Sequence, residues 1–178
     1  MLGRNNEDRG DLIILEFKTS DADKKPIKPE FSIRRKNPET GKYEPQGSVY
    51  EFTGNLKTVV TKVKEYKKDG KIIDSKEVVD LYFQDGEETY LVPFSYRIAS
   101  RSFFNRLLNL TSGENLKVLC FRDDRGYEVV VLYQNGTIVK GKYSRDELPK
   151  PQEFVRKGKT ERIYDEVDAF MKAKLDEL

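Results

Sequence analysis

Short alternating apolar runs, closed by the turn dipeptides Asp69-Gly70, Asp85-Gly86 and Asn135-Gly136, predict a mainly β fold. One helical pattern interrupts these runs after the third long strand, and further strands follow it. Three strands, a helix and two more strands is the element order of the OB-fold, a five-stranded, partly open Greek-key barrel. The sequence therefore predicts such a barrel with an N-terminal hairpin extension, a short helix between strands three and four, and a C-terminal amphipathic helix. A small sandwich or an SH3-like barrel is the alternative. Length suits one domain with extensions: 178 residues, of which 37% are hydrophobic and 36% charged. The expected division is 1–47 for the extension, 48–147 for the barrel, and 148–178 for a linker and acidic helix.

Residues 1–11 are polar and read as a mobile start. Leu12–Phe17 reads as a short buried strand, and Thr19–Pro29 as a loop. Phe31–Lys36 and Lys42–Glu44 form a hairpin around Asn37-Pro38-Glu39-Thr40-Gly41. Val49–Phe52 and Leu56–Lys67 lead to Asp69-Gly70, the strongest short hairpin signal. Val78–Gln84 and Glu88–Phe94 complete a meander. Ser100 is placed to cap a helix whose apolar face is Phe103, Phe104, Leu107 and Leu108, with Gly113 as its stop. Leu116–Arg122, Tyr127–Gln134 and Thr137–Tyr143 are the closing strands, and from Thr160 onward the chain reads as helix. Its apolar stripe is Ile163, Val167, Phe170, Met171 and Leu175.

Composition removes several chemistries. There is no His, which excludes His-based acid–base catalysis, His-activated nucleophiles and His metal sites. The lone Cys120, set among Val118, Leu119 and Phe121, forms no internal disulfide and reads as a small core residue. The adjacent carboxylates Glu87-Glu88 and Asp123-Asp124 stand in turn-like settings, and no glycine-rich phosphate loop occurs. No enzyme, no metal and no cofactor is expected. No apolar stretch approaches a membrane span, so a cytoplasmic location is expected.

Net charge is +2, so the distribution of charge matters more than its sum. Arg34, Arg35 and Lys36 are adjacent cations on a strand. Lys57, Lys62, Lys64, Lys67 and Lys68 run along the first long strand, with Tyr66 near its tip. Cationic tracks with interleaved aromatic rings are the two physical means of holding a single strand. The candidate stacking rings are Tyr66, Tyr82, Tyr90, Tyr96, Tyr127 and Tyr133. Tyr82 stands out because Leu81 and Phe83 send it to the face opposite the core. Arg97, Arg101 and Arg106 surround the helix start, and Arg97 and Arg101 are candidates for the groove wall. The competing reading of each cation is a solvated strand edge, and of each Tyr a core ring with a wet hydroxyl.

Several segments together carry a family resemblance: Phe31–Lys36, Tyr50–Leu56, Tyr90–Phe94, Ser102–Leu108 and Gly126–Gly136. Their order, followed by a charged amphipathic end, resembles bacteriophage single-stranded DNA-binding proteins of the single OB-fold type, over roughly residues 31–178. The resemblance implies a DNA-replication or DNA-recombination accessory that coats single strands in the host cytoplasm. It also implies an acidic C-terminal tail that recruits partner proteins, from which this chain departs. Residues 161–178 carry six acids against three bases and read as a helix. That helix is expected to cover the barrel, to dock on replication or recombination proteins, or to lie across the groove as an acidic mimic of DNA. Its removal is expected to leave the barrel folded and to strengthen binding. A protein-interaction module and an RNA-binding barrel are the rival functions.

Overall fold

The computed structural model describes residues 12–178, so the polar start expected over 1–11 lies outside it. The described chain is mainly β. Its strands are β1 Leu12–Ser20, β2 Pro26–Lys36, β3 Tyr43–Val49, β4 Glu51–Lys68, β5 Lys71–Asp85, β6 Glu88–Ser95, β7 Leu116–Arg122, β8 Glu128–Gln134, β9 Thr137–Ile138, β10 Gln152–Arg156 and β11 Lys159–Ile163. Helix α1 spans Ile98–Leu107 and α2 spans Asp165–Leu175. One nine-stranded sheet runs β3-β2-β1-β6-β5-β4-β7-β8-β9, and β10-β11 form a separate hairpin. All its neighbours pair antiparallel except β1 with β6.

The turn signals work as their chemistry requires. Asp69 and Gly70 take φ of 50° and 76°, the left-handed pair that matches strand twist and lets β4 and β5 run back along each other. Strand β4 then serves two partners. Residues Glu51–Gly54 pair with β7, and Asn55 onward pairs with β5. The sheet folds over at this exchange, and its two inner faces meet around α1. One hydrophobic cluster joins Ile13, Leu15, Phe31, Leu81, Phe83, Val92 and Phe94 from one side to Leu116, Val118, Cys120, Val130 and Leu132 from the other. Phe103, Phe104 and Leu107 of α1 fill the space between. Phe52 bridges the fold, meeting Phe31 edge-on at 5.1 Å and Phe83 at 5.2 Å. Burial pushes the Cys120 thiol up to about 12, as suits a packing residue.

The sheet is open. Strands β2 and β7 approach one another, but no hydrogen-bonded ladder joins them, and β3 and β9 are the free edges. The position beside β6 is taken by the N-terminal β1, which extends the sheet outward through β2 and β3. The extension expected before residue 48 and the helix expected after 147 share the core, because one cluster includes Ile13 and Phe31 at one end and Met171 and Leu175 at the other.

Local expectations are corrected in four places. The loop expected over Thr19–Pro29 is mostly strand: its prolines stand at the first position of β2 and beside an irregularity between Lys18 and Ser20, where no ladder donor is needed. Ser100 lies inside α1, where its Oγ accepts from the Arg97 backbone N–H at 2.7 Å and donates to the Ser95 carbonyl at 2.5 Å. Gly113 lies beyond the end of α1 and is needed for close approach. The Leu56 N–H donates to its carbonyl at 2.7 Å, and a Cβ there would lie 2.3 Å from the Leu56 carbonyl oxygen. The expected strand Thr137–Tyr143 stops at Ile138, because the Asn105 side-chain amide then clamps the chain. Its Nδ2 donates to the Tyr143 carbonyl at 2.8 Å, and its Oδ1 accepts from the Tyr143 N–H at 2.9 Å.

Candidate nucleic-acid interface

Alternation along the strands sorts the expected site residues onto faces. Ile14 of β1 pairs with Arg34 of β2 and Leu91 of β6, and Leu91 pairs with Tyr82 of β5. Val60 pairs with Asp80 and Lys62 with Val78. These residues share the face opposite Ile13, Leu15, Leu81 and Val92, so Tyr82 does point away from the core. The far end of β4 carries Lys62, Lys64 and Tyr66 on this face, at every second position.

A groove of about 620 Å³ opens there. Arg34, Tyr43, Lys62, Lys64, Tyr66 and Arg97 line it, together with the acids Glu16 and Asp80. The floor is partly apolar, from Ile14, Leu91 and Pro93. Its cations divide into occupied and free. Lys62 Nζ meets Asp80, whose side chain is only 2% exposed, and thus serves as the counter-ion of a buried carboxylate. Arg34 Nε lies 3.3 Å from Glu16 Oε2 without aligning for a hydrogen bond. Among the described residues, Lys64 and Arg97 have no acidic partner. Lys64 Nζ stands 5.5 Å from the centre of the Tyr66 ring, and Lys76 of β5 stands 5.6 Å from it.

The remaining expected residues fall elsewhere. Arg35 alternates to the other face and donates to Glu88 Oε1 at 2.7 Å. Lys36 is exposed and pairs in register with Tyr43, the groove ring that sequence reasoning did not select. Lys57 is exposed at an irregularity between Leu56 and Thr58. Arg101 is withdrawn from the groove by a bidentate pair with Asp168 of α2, at 2.5 and 2.7 Å, with its guanidinium 4.2 Å from the Tyr164 ring. Arg106 donates to the Val139 carbonyl. Tyr96 packs edge-on against Phe104 at 5.3 Å. The long-range partners explain these misplacements: Glu88 is 53 residues from Arg35 and Asp168 is 67 from Arg101.

Tyr90 is a packing ring rather than a stacking platform. It lies against the core near Phe52, and its hydroxyl donates to Glu88 Oε2 at 2.6 Å. Burial first, and that hydrogen bond second, push its phenol up to about 12. Hydrogen bonds from Tyr90 and Arg35 hold the Glu88 carboxyl below its ordinary range. The two signs are opposite. The Tyr90 contribution to stability is complete below the ordinary phenol value of about 10 and is lost as pH rises through the folded value. The Glu88 contribution is present above the ordinary carboxylate value and is lost as pH falls through the lowered one. An ultraviolet titration of the phenols should show a component near pH 12 that disappears in Tyr90→Phe. A Tyr90→Phe protein with an unaltered titration curve would contradict the assignment.

Comparison with protein-family models, curated proteins and solved structures finds no match to this chain. Function therefore rests on the groove and on the sequence pattern.

Proposed function

We propose that the protein binds single-stranded DNA without catalysis and with little sequence preference, in the groove between β1, β2, β6 and the far end of β4. One observation carries this reading. Lys64 and Arg97, free of acidic partners among the described residues, line one groove with the rings of Tyr66 and Tyr43 over a partly apolar floor. Cations supply sequence-independent attraction to phosphate, and rings accept any base. The order β4-β5-β6-α1-β7-β8, with β7 returning to β4, supports an OB-type arrangement, with β1 standing beside β6. On this reading the activity belongs to DNA replication or recombination, the role expected from the sequence pattern of residues 31–178.

The test is fluorescence anisotropy of labelled oligo-dT. Binding should weaken steeply with salt, because the entropy gained by releasing counterions shrinks as bulk salt rises. Tyr66→Ala should cost about 1–3 kcal/mol of affinity at unchanged melting temperature. Arg97→Ala should weaken binding and flatten the salt dependence by about one phosphate contact. No binding at low salt, or unaltered affinity in both variants, would refute the groove assignment. Equal-length RNA as competitor separates the two polymers.

A further inference from the structure

We propose that the β10–β11 hairpin is a second, distal contact for the same anionic strand, reached from the groove past Arg97. The proposal rests on the reading that the groove holds single-stranded DNA.

The hairpin has an unusual distribution of charge. At its base opposite signs face each other: Glu153 pairs with Arg162, whose Nε donates to Glu153 Oε1 at 2.8 Å. At its tip Arg156 pairs directly with Lys159. Like charges placed opposite each other in a strand pair are destabilising. The turn between them adds a third cation, Lys157, at a φ of 52°, followed by Gly158 at 75°. Asn or Asp is the usual choice at that first turn position, so a lysine there runs against local preference. Among the described residues, Arg156, Lys157 and Lys159 have no acidic partner. Phe154 alternates onto the face of Arg156 and Lys159 and is 38% exposed. A ring beside opposed cations repeats the chemistry of Tyr66, which stands beside the opposed pair Lys64 and Lys76. An anionic polymer relieves both repulsions and supplies bases for the rings.

Arg97 leads from the groove toward the base of the hairpin. Arg97 lines the groove and also a neighbouring cleft of about 510 Å³. That cleft is lined by Tyr127, which is exposed, and by Tyr164, which directly follows β11. A strand leaving the groove at Arg97 thus meets further rings before it reaches the hairpin.

The test compares the wild type with Arg156→Gln/Lys159→Gln on oligo-dT of about 8 and about 30 nucleotides, across a salt series. A second double variant, Lys24→Gln/Lys25→Gln, removes equal charge from the β1–β2 turn. The hairpin variant should bind the long strand on the order of tenfold more weakly at low salt, with a salt slope shallower by about one to two for the two cations removed. Its affinity for the short strand and its melting temperature should be unchanged, and Arg156→Lys should bind as the wild type. Wild-type affinity for the long strand, or an equal loss in the Lys24/Lys25 variant, would overturn the hairpin contact while leaving the groove intact. An equal loss on both lengths would overturn its distal position. Failure of the wild type to bind either strand would overturn the groove reading as well, in favour of an acidic protein partner.

Discussion

Truncation before Tyr164 abolishes cooperative folding: this is the expected result of circular dichroism melting on a chain that lacks α2. Met171 and Leu175 are 1% and 2% exposed and belong to the main hydrophobic cluster, and Val167 is buried beside them. Each such side chain contributes about 1.5–3 kcal/mol through burial. Their joint loss approaches the whole stability of a typical domain, about 5–15 kcal/mol. The cut also leaves the Arg101 guanidinium without the Asp168 carboxylate, and their side chains are only 16% and 19% exposed. It separates Lys172 from Glu77 and the Tyr143 ring from Phe170. This packing argues against the sequence expectation that the acidic helix can be removed with the barrel intact, and agrees with the alternative that it covers the barrel. Helix α2 is spent on packing, and its stripe begins at Val167, because Ile163 lies in β11. A single Met171→Ala change should cost about 2–5 kcal/mol. A truncated protein melting at the full-length temperature would show that α2 is dispensable.

The second large effect is at Lys62, and it is on stability before it is on binding. Lys62→Ala leaves the buried Asp80 carboxylate without its counter-ion, an expected loss of about 1–3 kcal/mol. Replacing both partners, Lys62→Met with Asp80→Leu, should recover much of this, since apolar groups of similar size carry no unpaired charge. DNA affinity should fall less in Lys62→Ala than in Arg97→Ala, because the Lys62 charge is already matched within the groove. Unchanged melting with a large loss of affinity would show that Lys62 serves the ligand instead.

These two corrections mark how far the residues can be read directly. The meander β4-β5-β6, helix α1 and the pair β7-β8 were legible because each is bounded by a turn dipeptide or carries a single apolar face. Cys120 and the outward direction of Tyr82 were legible from their flanking residues. The far ends of β4 and β5 carried no such period. Ile72 and Ile73 sit on opposite faces and both are exposed, so only Asp69-Gly70 marked the hairpin. Strands β10 and β11 are exposed throughout and gave no alternation to follow. In the candidate site, residue type marked the cations, while their pairing was settled by partners distant along the chain. Arg35, Lys62 and Arg101 were thus indistinguishable in sequence from Lys64 and Arg97. Tyr43 entered the groove only through the register of β2 and β3.

In the proposed function one single strand lies in the groove between Arg34, Tyr43, Lys64, Tyr66 and Arg97. Photo-crosslinking of a halogenated oligo-dT to the intact protein, followed by peptide mapping, tests it most directly. Crosslinks should map to Tyr66 or Tyr43, disappear on competition with unlabelled strand and weaken in Arg97→Ala. Crosslinks confined to the other end of the sheet, around Lys117 and Tyr133 of β7 and β8, would contradict it.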